Sequence, residues 1–471
     1  MTIHITISTS LLGAENVLTD DPTLEKFSGD MTENDPCKPG VVAFASTVEQ
    51  VQGVLRLANK HKVPVTPRVA GSNLGGISIP APGGMLLDLT RMDRIVEVNI
   101  EDAYAVLEPG VGFGQLKKYL DDKGIAFTIS YPLSPPEVSI LCNCILDGLG
   151  NLSLKHGSMA NWINGLEVVL PNGDLMRTGS MAAGKTWCSR PPFPDLTGLF
   201  VNWQGTTGIV TKLAVQLWPK RPLRKRFFTP AYDLASGISL MTELARTGCF
   251  DDIGCVFWSL GKLMFAGVRH FQRDPNEPEL YVYVDICANT TLELSAKQAQ
   301  MLNLVEEAAE RGVVEEPIEL DVFLKLAPDF AKMAEFPTRL DFLLDHPGGG
   351  LTWVGTYGPC SNWAKAAESG KKIMTDLGFT PYIVMRPMNG AHFAVLRFIT
   401  IFDRKNPAEV QKVREMNRRL CLDALEHGFL AYKTPAWAVK LFEPHMDPNF
   451  LAVACKVRTL LDPNGIMNPR P

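Results

Sequence analysis

The chain has 471 residues, ten cysteines and a formal net charge of −5, from 46 Lys and Arg against 51 Asp and Glu. A domain usually has about 100–200 residues, so this length predicts two or three domains. Because there is no basic excess to neutralise a phosphate backbone, we expect no nucleic-acid partner.

The cysteines and the apolar segments indicate the compartment. The cysteines are scattered without CxxC spacing, and the closest pair is Cys142 and Cys144. This pattern predicts reduced thiols, with no disulfide framework and no zinc or iron–sulfur site. Residues 1–21 lack a basic segment before an apolar core, and no apolar run reaches about 18 residues. We predict a cytoplasmic protein without a membrane span; a periplasmic protein whose signal has been removed is the alternative.

The first predicted elements are a strand, a helix and a second strand. Residues 41–44 have the pattern of a short strand. Ser46 and Glu49 have the spacing of a capping box, which predicts the start of a helix. The apolar residues of that helix share one face: Val51, Val54, Leu55 and Ala58. Residues 63–65 then form the second predicted strand.

The next stretch, PRVAGSNLGG at Pro67–Gly76, is a glycine-rich loop. Its three glycines and few bulky side chains allow a sharp turn that exposes consecutive backbone N–H groups. Such a loop is suited to bind an anion, while an ordinary surface turn has the same composition. Both interpretations are open at this point.

Further along, strand-like runs at 85–89, 95–98 and 103–108 predict a meander, and a helix is predicted from 114 to 120. The stretch 131–157 is rich in proline, glycine and asparagine, which indicates a loop system packed close to a ligand. A hairpin is predicted at 166–178 around the turn PNGD. A second small-residue loop, GTTG at Gly205–Gly208, precedes an alternating strand and suits a second ligand contact.

The segment Pro219–Arg226, PKRPLRKR, is broken by proline and rich in charge. It predicts a solvated connector between domains, with a docking patch as the alternative. Between residues 227 and 425, strands such as 280–284 and 398–402 alternate with helical patterns such as 294–311 and 408–427. This alternation predicts an antiparallel sheet with helices on one side.

Several segments, taken in order, resemble the flavoprotein family of vanillyl-alcohol oxidase and para-cresol methylhydroxylase (PCMH). They are ASTVEQVQGVLRLANKHKVPVTPRVAGSNLGG, EVNIEDAY, GLEVVLPNGD, GTTGIVTK, GGGLTWVG, FDRKNPAE and LDPNGIMNP. The resemblance implies an α+β fold with a two-part PCMH-type FAD-binding domain and an α+β cap domain that contains an antiparallel sheet. We predict an FAD-binding domain at 1–225, a cap at 226–425, and a segment at 426–471 that returns to the FAD-binding domain.

The resemblance implies FAD as the cofactor, with the N–H groups of the first loop facing its diphosphate. Some relatives carry a flavin-linking tyrosine near the position of Leu343, and this chain has none there. We therefore expect noncovalent FAD, with His392 and His346 as the alternatives for a covalent link. The residues expected near FAD are Pro67, Arg68, Ala70, Gly71, Ser72, Asn73, Leu74, Gly75, Pro109, Gly110, Asn143, Gly148, Gly157, Gly208, Ile209 and Val210.

The same resemblance implies an aromatic alcohol or para-alkylphenol substrate, which binds as its phenolate and loses a hydride to the flavin, as in 4-cresol dehydrogenase. Tyr432 and Lys433 match the family's Tyr-Arg pair, so a hydroxyl donor and a cation are expected at the substrate oxygen. His392 and Arg386 are further catalytic candidates, and Arg386 and Arg397 are both candidate anchors for a carboxylate or phenolate. A structural role is the alternative for each of them.

Two departures from the family keep other functions open. Gly76 stands where phenol-binding relatives carry a tyrosine, and their activating acidic residues have no match near Arg386 or Ile399. The D-2-hydroxy-acid (lactate or glycolate) dehydrogenases are the first alternative. Their histidine-rich metal motif is replaced here by NGAHF at Asn389–Phe393, so we predict no metal. A non-catalytic electron-relay or scaffold subunit is the second alternative.

The resemblance also bears on partners. We expect a small-molecule substrate and an electron-acceptor protein, which is a cytochrome, an iron–sulfur subunit or an electron-transfer flavoprotein. The chain is expected to form a homo-oligomer or a hetero-oligomer.

Overall fold

The computed structural model describes residues 11–266, 272–312, 314–326, 328, 331, 343, 346 and 348–469. The first ten residues of the predicted FAD-binding domain, which are part of the segment 1–21 tested for a signal, lie outside the described residues. Among the helices within these ranges, none has the length and apolar composition that a membrane crossing requires.

The elements alternate along the chain. The strands are β1 (Val17–Leu18), β2 (Val41–Phe44), β3 (Val65–Arg68), β4 (Met85–Asp88), β5 (Ile95–Asn99), β6 (Tyr104–Leu107), β7 (Phe127–Thr128), β8 (Ile163–Val169), β9 (Leu175–Arg177), β10 (Ile209–Gln216), β11 (Trp218–Pro219), β12 (Leu223–Ala231), β13 (Asp252–Phe257), β14 (Leu280–Ala288), β15 (Ile318–Glu319), β16 (Gly349–Gly358), β17 (Tyr382–Met388), β18 (Phe393–Asp403) and β19 (Leu430–Ala431). The α-helices are α1 (Asp21–Lys26), α2 (Val48–His61), α3 (Phe113–Asp122), α4 (Ile140–Ile145), α5 (Ser153–His156), α6 (Leu234–Arg246), α7 (Trp258–Ala266), α8 (Thr291–Glu310), α9 (Leu320–Leu326), α10 (Trp363–Asp376), α11 (Pro407–Glu426), α12 (Ala436–Phe442) and α13 (Pro448–Leu461).

The N-terminal half forms two main sheets. The first has the strand order β1-β2-β4-β3, in which β4 runs parallel to β2 and to β3. Helix α2 packs on it through the predicted face, since its four apolar residues share a buried core with Val41, Val65 and Met85. The second sheet is antiparallel, with the order β5-β6-β10-β8-β9. The predicted hairpin at 166–178 is confirmed by the pairing of β8 with β9.

Three local predictions differ from the structure. The predicted meander is wrong, because β4 inserts between β2 and β3 in the first sheet while β5 and β6 join the second. The helix cap is Thr47, whose hydroxyl accepts from the Gln50 N–H at 3.3 Å, one residue after the predicted Ser46. The predicted connector is in part a strand: β12 begins at Leu223, and Arg226 is buried in it by an ion pair with Asp285.

The C-terminal half contains two antiparallel sheets, with the orders β13-β14-β12-β15 and β17-β18-β16-β19. Helices α6, α8, α10 and α11 share one apolar core with these strands, which confirms the predicted helix-covered antiparallel sheet. Side-chain alternation sorts the strands into two faces. In β18, Leu396 and Phe398 face the helices, while Ile399 and Ile401 belong to a separate cluster on the other face. That other face contributes to the candidate site.

The chain end returns to the first sheet. The Val65 N–H donates to the Ile466 carbonyl and the Asn468 N–H donates to the Val65 carbonyl, each at 2.8 Å. These bonds place residues 466–468 beside β3, the strand that leads into the glycine-rich loop. They support an FAD-binding domain built from both parts of the chain, while the boundaries at 225 and 425 stay predictions.

Candidate active site

A cavity of about 300 Å³ lies between the glycine-rich loop and the strands of the two C-terminal sheets. Eight of the residues predicted near FAD line it: Pro67, Arg68, Ala70, Gly71, Ser72, Asn73, Leu74 and Asn143. The prolines of the 131–157 loop system line it as well, through Pro132 and Pro135. The two stretches chosen for unusual backbone composition therefore meet at one cavity.

The glycine-rich loop is shaped by two short-range constraints. Gly71 has a φ of 66°, a conformation that glycine adopts without a steric cost. The Asn73 side-chain oxygen accepts from the Gly75 N–H at 2.7 Å, which closes a tight turn. A Cβ atom on Gly75 would lie 2.6 Å from the Lys433 carbonyl oxygen. This close approach joins the loop to the predicted Tyr-Lys pair.

The remaining predicted FAD residues do not line the cavity: Gly75, Pro109, Gly110, Gly148, Gly157, Gly208, Ile209 and Val210. Two of them support lining residues directly. The Pro109 carbonyl accepts from the Ser139 hydroxyl at 2.6 Å, and Ser139 lines the cavity. Gly148 leaves room for the Asn143 amide, because a Cβ atom there would overlap its oxygen at 1.7 Å.

The cavity presents hydrogen-bonding atoms that no described residue satisfies. Arg68 Nη1, Ser134 Oγ and Asn143 Nδ2 are buried without a hydrogen-bond partner in the described part of the chain. Buried polar groups normally have a partner, so unpaired donors beside a cavity indicate a bound acceptor. No Asp or Glu is among the described residues that line it. This donor-rich, acid-free cradle fits a diphosphate and the carbonyl groups of a flavin.

Comparison with known proteins identifies the family. A sequence profile described as an FAD binding domain matches residues 39–179. The chain is 33% identical to the D-lactate dehydrogenase [cytochrome], mitochondrial, of Arabidopsis thaliana, over 92% of this chain and 73% of the relative. The chain belongs to the PCMH-type family of FAD-linked oxidoreductases. It is also 25% identical to the 4-cresol dehydrogenase [hydroxylating] flavoprotein subunit of Pseudomonas putida, over 98% of this chain and 93% of that subunit.

A comparison of the fold with solved structures agrees with this family assignment. The structure matches a crystal structure of p-cresol methylhydroxylase with a TM-score of 0.87 at 21% identity, covering 99% of this chain and 96% of the other. The predicted α+β fold, with its PCMH-type FAD-binding domain and its cap, is confirmed. The protein is an FAD-dependent oxidoreductase, as predicted.

At the cap side of the cavity of this FAD-linked oxidoreductase, two cations lie beside aromatic rings. Arg397 and Lys433 both line the cavity. The Arg397 guanidinium lies 4.7 Å from the centre of the Trp353 ring and 5.5 Å from that of Tyr432. Lys433 Nζ donates to Asn143 Oδ1 at 3.3 Å. Neither cation forms a salt bridge with any described carboxylate, although the Asp147 carboxyl is near enough to favour the charged form of Lys433.

Tyr432 lies next to these cations but is not among the residues that line the cavity. Its ring stacks on that of Tyr357 at 4.3 Å, and its N–H donates to the Gly355 carbonyl at 3.1 Å. Burial raises the pKa of the Tyr432 hydroxyl, and the nearby Arg397 charge offsets part of that rise. The hydroxyl therefore keeps its proton near neutral pH and is available as a donor.

The other two catalytic candidates lie elsewhere. Arg386 is buried in β17, where it pairs with Asp252 and donates to the Gly150 carbonyl at 3.1 Å. His392 is exposed in the turn between β17 and β18 and does not line the cavity. These positions support a structural role for Arg386 and give His392 no contact with the site. Within the described residues, no group of three His, Cys, Asp or Glu side chains is placed to hold a metal ion.

Sequence reasoning did not select the cap-strand residues Arg226 and Tyr283, which also line the cavity. Arg226 lies 5.1 Å from the Tyr283 ring centre and is paired with Asp285. Most residues of β12 and β14 are buried, and no local sequence pattern distinguishes Arg226 or Tyr283 from their neighbours. Only the pairing of those two strands brings them together.

Gly75→Ala is expected to weaken FAD binding by about 10–100-fold, since overpacking of a close contact costs about 1–3 kcal/mol. The added methyl group would force the loop away from the Lys433 carbonyl. Titration of the apoprotein with FAD, followed by flavin fluorescence, measures the effect. Gly261→Ala in α7 is the matched control, because its methyl group would meet no atom within 4 Å. Equal FAD affinities for the two variants would contradict this account of the loop.

Proposed function

We propose that this FAD-dependent oxidoreductase takes a hydride from an aromatic alcohol or para-alkylphenol that is bound as its phenolate. The observation that supports it is the pair Arg397 and Lys433, two cavity-lining cations with no carboxylate partner among the described residues. Buried charge is normally paired, so this arrangement favours an anionic ligand. The apolar side chains around the pair favour an anion with a hydrophobic body.

Each side chain at this end has a role in the proposal. Lys433 and Arg397 hold the substrate oxygen as an oxyanion, and the Tyr432 hydroxyl donates to it. The apolar residues Leu351, Val384 and Ile399 line the same cavity, contact the substrate ring and exclude water. When bound, FAD supplies the hydride acceptor.

The phenolate proposal agrees with the absence of a conventional base. No histidine and no carboxylate is among the described residues that line the cavity. Oxidation of a simple alcohol needs a group to remove the hydroxyl proton, whereas a substrate already bound as phenolate releases a hydride without a separate base at the reacting carbon. The two substrate classes therefore differ in where a base is needed: at the reacting carbon for an aliphatic hydroxy acid, and at the phenolic oxygen for a phenol.

A D-2-hydroxy acid is the second candidate. The relative at 33% identity is named as a D-lactate dehydrogenase, and a guanidinium beside an ammonium also suits a carboxylate. A scaffold subunit without catalysis is the third. The cavity with its unpaired cations favours a bound substrate over that interpretation.

We further propose that the electrons pass to a protein acceptor in an oligomeric assembly. One relative is named as a flavoprotein subunit and another carries the word cytochrome in its name. We favour a cytochrome on that ground. We also propose noncovalent FAD, since Leu343 lines the cavity where some relatives of the family carry a flavin-linking tyrosine.

Anaerobic mixing of the purified holoenzyme with a substrate panel tests the proposal. We expect para-alkylphenols or hydroxybenzyl alcohols to bleach the flavin absorbance at least tenfold faster than D-2-hydroxy acids of similar size, a difference of about 1.4 kcal/mol. If D-2-hydroxy acids bleach the flavin faster than the phenols, the substrate is assigned to the hydroxy acids instead. Bleaching by no member of the panel, with a chemical reductant still effective, would support the scaffold.

A further inference from the structure

Lys433 stands where the family resemblance places an arginine, and the two side chains differ in whether they can lose a proton. A guanidinium stays charged at every pH at which a protein is folded, so an arginine only attracts the substrate oxygen. A lysine can also lose its proton when it is removed from water. The site therefore has a group that can exchange a proton where an arginine could not.

The backbone and the neighbours of Lys433 hold its amine in the cavity. The residue has a φ of 52°, uncommon for a residue other than glycine, and its carbonyl oxygen packs against Gly75. Its Nζ donates to Asn143 Oδ1 at 3.3 Å and lies 5.8 Å from the Trp353 ring centre. An amide oxygen accepts a hydrogen bond from an ammonium and also from a neutral amine, so this contact is compatible with either protonation state.

The charges around the amine favour its neutral form. Burial lowers the pKa of Lys433 to about 8, and the Arg397 guanidinium acts in the same direction. The Asp147 carboxyl and the Cys142 thiol act in the opposite direction, with a smaller effect. The ring of Tyr432 lies 5.9 Å from the amine, and burial raises the pKa of its hydroxyl, which therefore stays protonated and contributes no charge.

We propose that Lys433 is the proton acceptor for the substrate hydroxyl, an inference that rests on the proposed phenol function. The phenolic O–H bond breaks, its proton forms a new N–H bond on the neutral amine, and the electron pair stays on oxygen. The products are a phenolate and an ammonium in contact, with Arg397 as the second cation. No oxidant takes part in this step, and charge is conserved.

If Lys433 accepts the proton, the number of protons released to the solvent when a phenol binds depends on the pH. Below the pKa of Lys433 the amine is already protonated, so a phenol that binds as phenolate gives its proton to the solvent. Above that pKa the neutral amine takes the proton, and none is released. Free phenols have a pKa of about 10, so both conditions can be examined with a protonated ligand, at about pH 7 and about pH 9.

The experiment uses the holoenzyme and 4-fluorophenol, which has no benzylic hydrogen to transfer. Binding is followed by the flavin spectrum, and proton release by a pH indicator in weak buffer. We expect about one proton per site at about pH 7 and close to none at about pH 9. Lys433→Arg is expected to release about one proton at both, since its guanidinium cannot accept one. Lys433→Met is expected to release none at either pH and to bind more weakly.

The outcomes separate the inference from the function on which it rests. If 4-fluorophenol leaves the flavin spectrum of the native enzyme unchanged, the phenol function fails, and the inference fails with it. If it binds but the native enzyme releases the same number of protons at both pH values, the phenol function stands and the role of Lys433 is overturned. Because this comparison needs only the native enzyme, a variant that lost FAD would not prevent a decision.

Discussion

Arg397→Met is expected to slow substrate-driven reduction of the flavin by about 10²–10³-fold, the usual loss when one preorganised donor to an oxyanion is removed. Arg397 lines the cavity and is 7% exposed. Methionine keeps an apolar stem of similar length, so the packing against Trp353 is largely retained. Stopped-flow absorbance under anaerobic conditions, with the substrate that bleaches fastest in the panel, measures the rate.

The same variant has a second readout that a structural arginine would not share. Removal of one partner from a buried ion pair is destabilising, but Arg397 has no carboxylate partner among the described residues. We therefore expect the melting temperature of Arg397→Met to equal or exceed that of the native protein. Arg397→Lys keeps the charge and should recover part of the rate. Arg418→Met, at an exposed position of α11, controls for the loss of a surface arginine.

An Arg397→Met enzyme that reduces its flavin at the native rate would contradict the anion anchor. A large fall in melting temperature together with the slower rate would assign Arg397 to the structure instead. Either result would remove the main support for a phenolate in this cavity.

Arg386→Met is expected to lower the free energy of unfolding by about 3–5 kcal/mol, because it leaves the Asp252 carboxylate buried without its partner. The side chains of both residues are 3% exposed, so water cannot compensate for the loss. The variant also loses the hydrogen bond to the Gly150 carbonyl, which joins the cap strand β17 to the loop system at 131–157. Denaturant unfolding followed by tryptophan fluorescence measures the change.

The double variant Asp252→Asn with Arg386→Met is the control, since it removes the buried charge and should recover much of the lost stability. Burial raises the pKa of the Asp252 carboxyl, and the nearby Arg386 charge opposes that rise. Without Arg386 the folded state binds this proton more tightly than the unfolded chain does. Stability of the single variant should therefore fall as the pH rises, with a smaller loss at about pH 5 than at about pH 8. Equal losses of stability at the two pH values would contradict the assignment of this effect to the buried Asp252 carboxyl.

Local patterns were sufficient for much of the fold. The hairpin at 166–178, the helices near 294–311 and 408–427 and the face of α2 each depend on turn residues or periodicity within one segment. The place of β4 could not be predicted in the same way. Its parallel pairing with β2 and β3 joins segments separated by a helix and a long loop. The apolar run MLLDL at 85–89 is typical of a buried parallel strand, but it does not identify the strands with which β4 pairs.

The sequence determined the chemistry available to the site: a glycine-rich anion loop, the Tyr432–Lys433 pair, and two strand arginines named as anion anchors. It did not distinguish those arginines, since each lies in a predominantly apolar strand that is buried along nearly its whole length. The tertiary structure shows that the two arginines have different surroundings. Asp252 from β13 neutralises Arg386, while Arg397 faces the cavity with no carboxylate supplied by any described element. The charge that a side chain presents depends on its neighbours in space, and those come from distant parts of the chain.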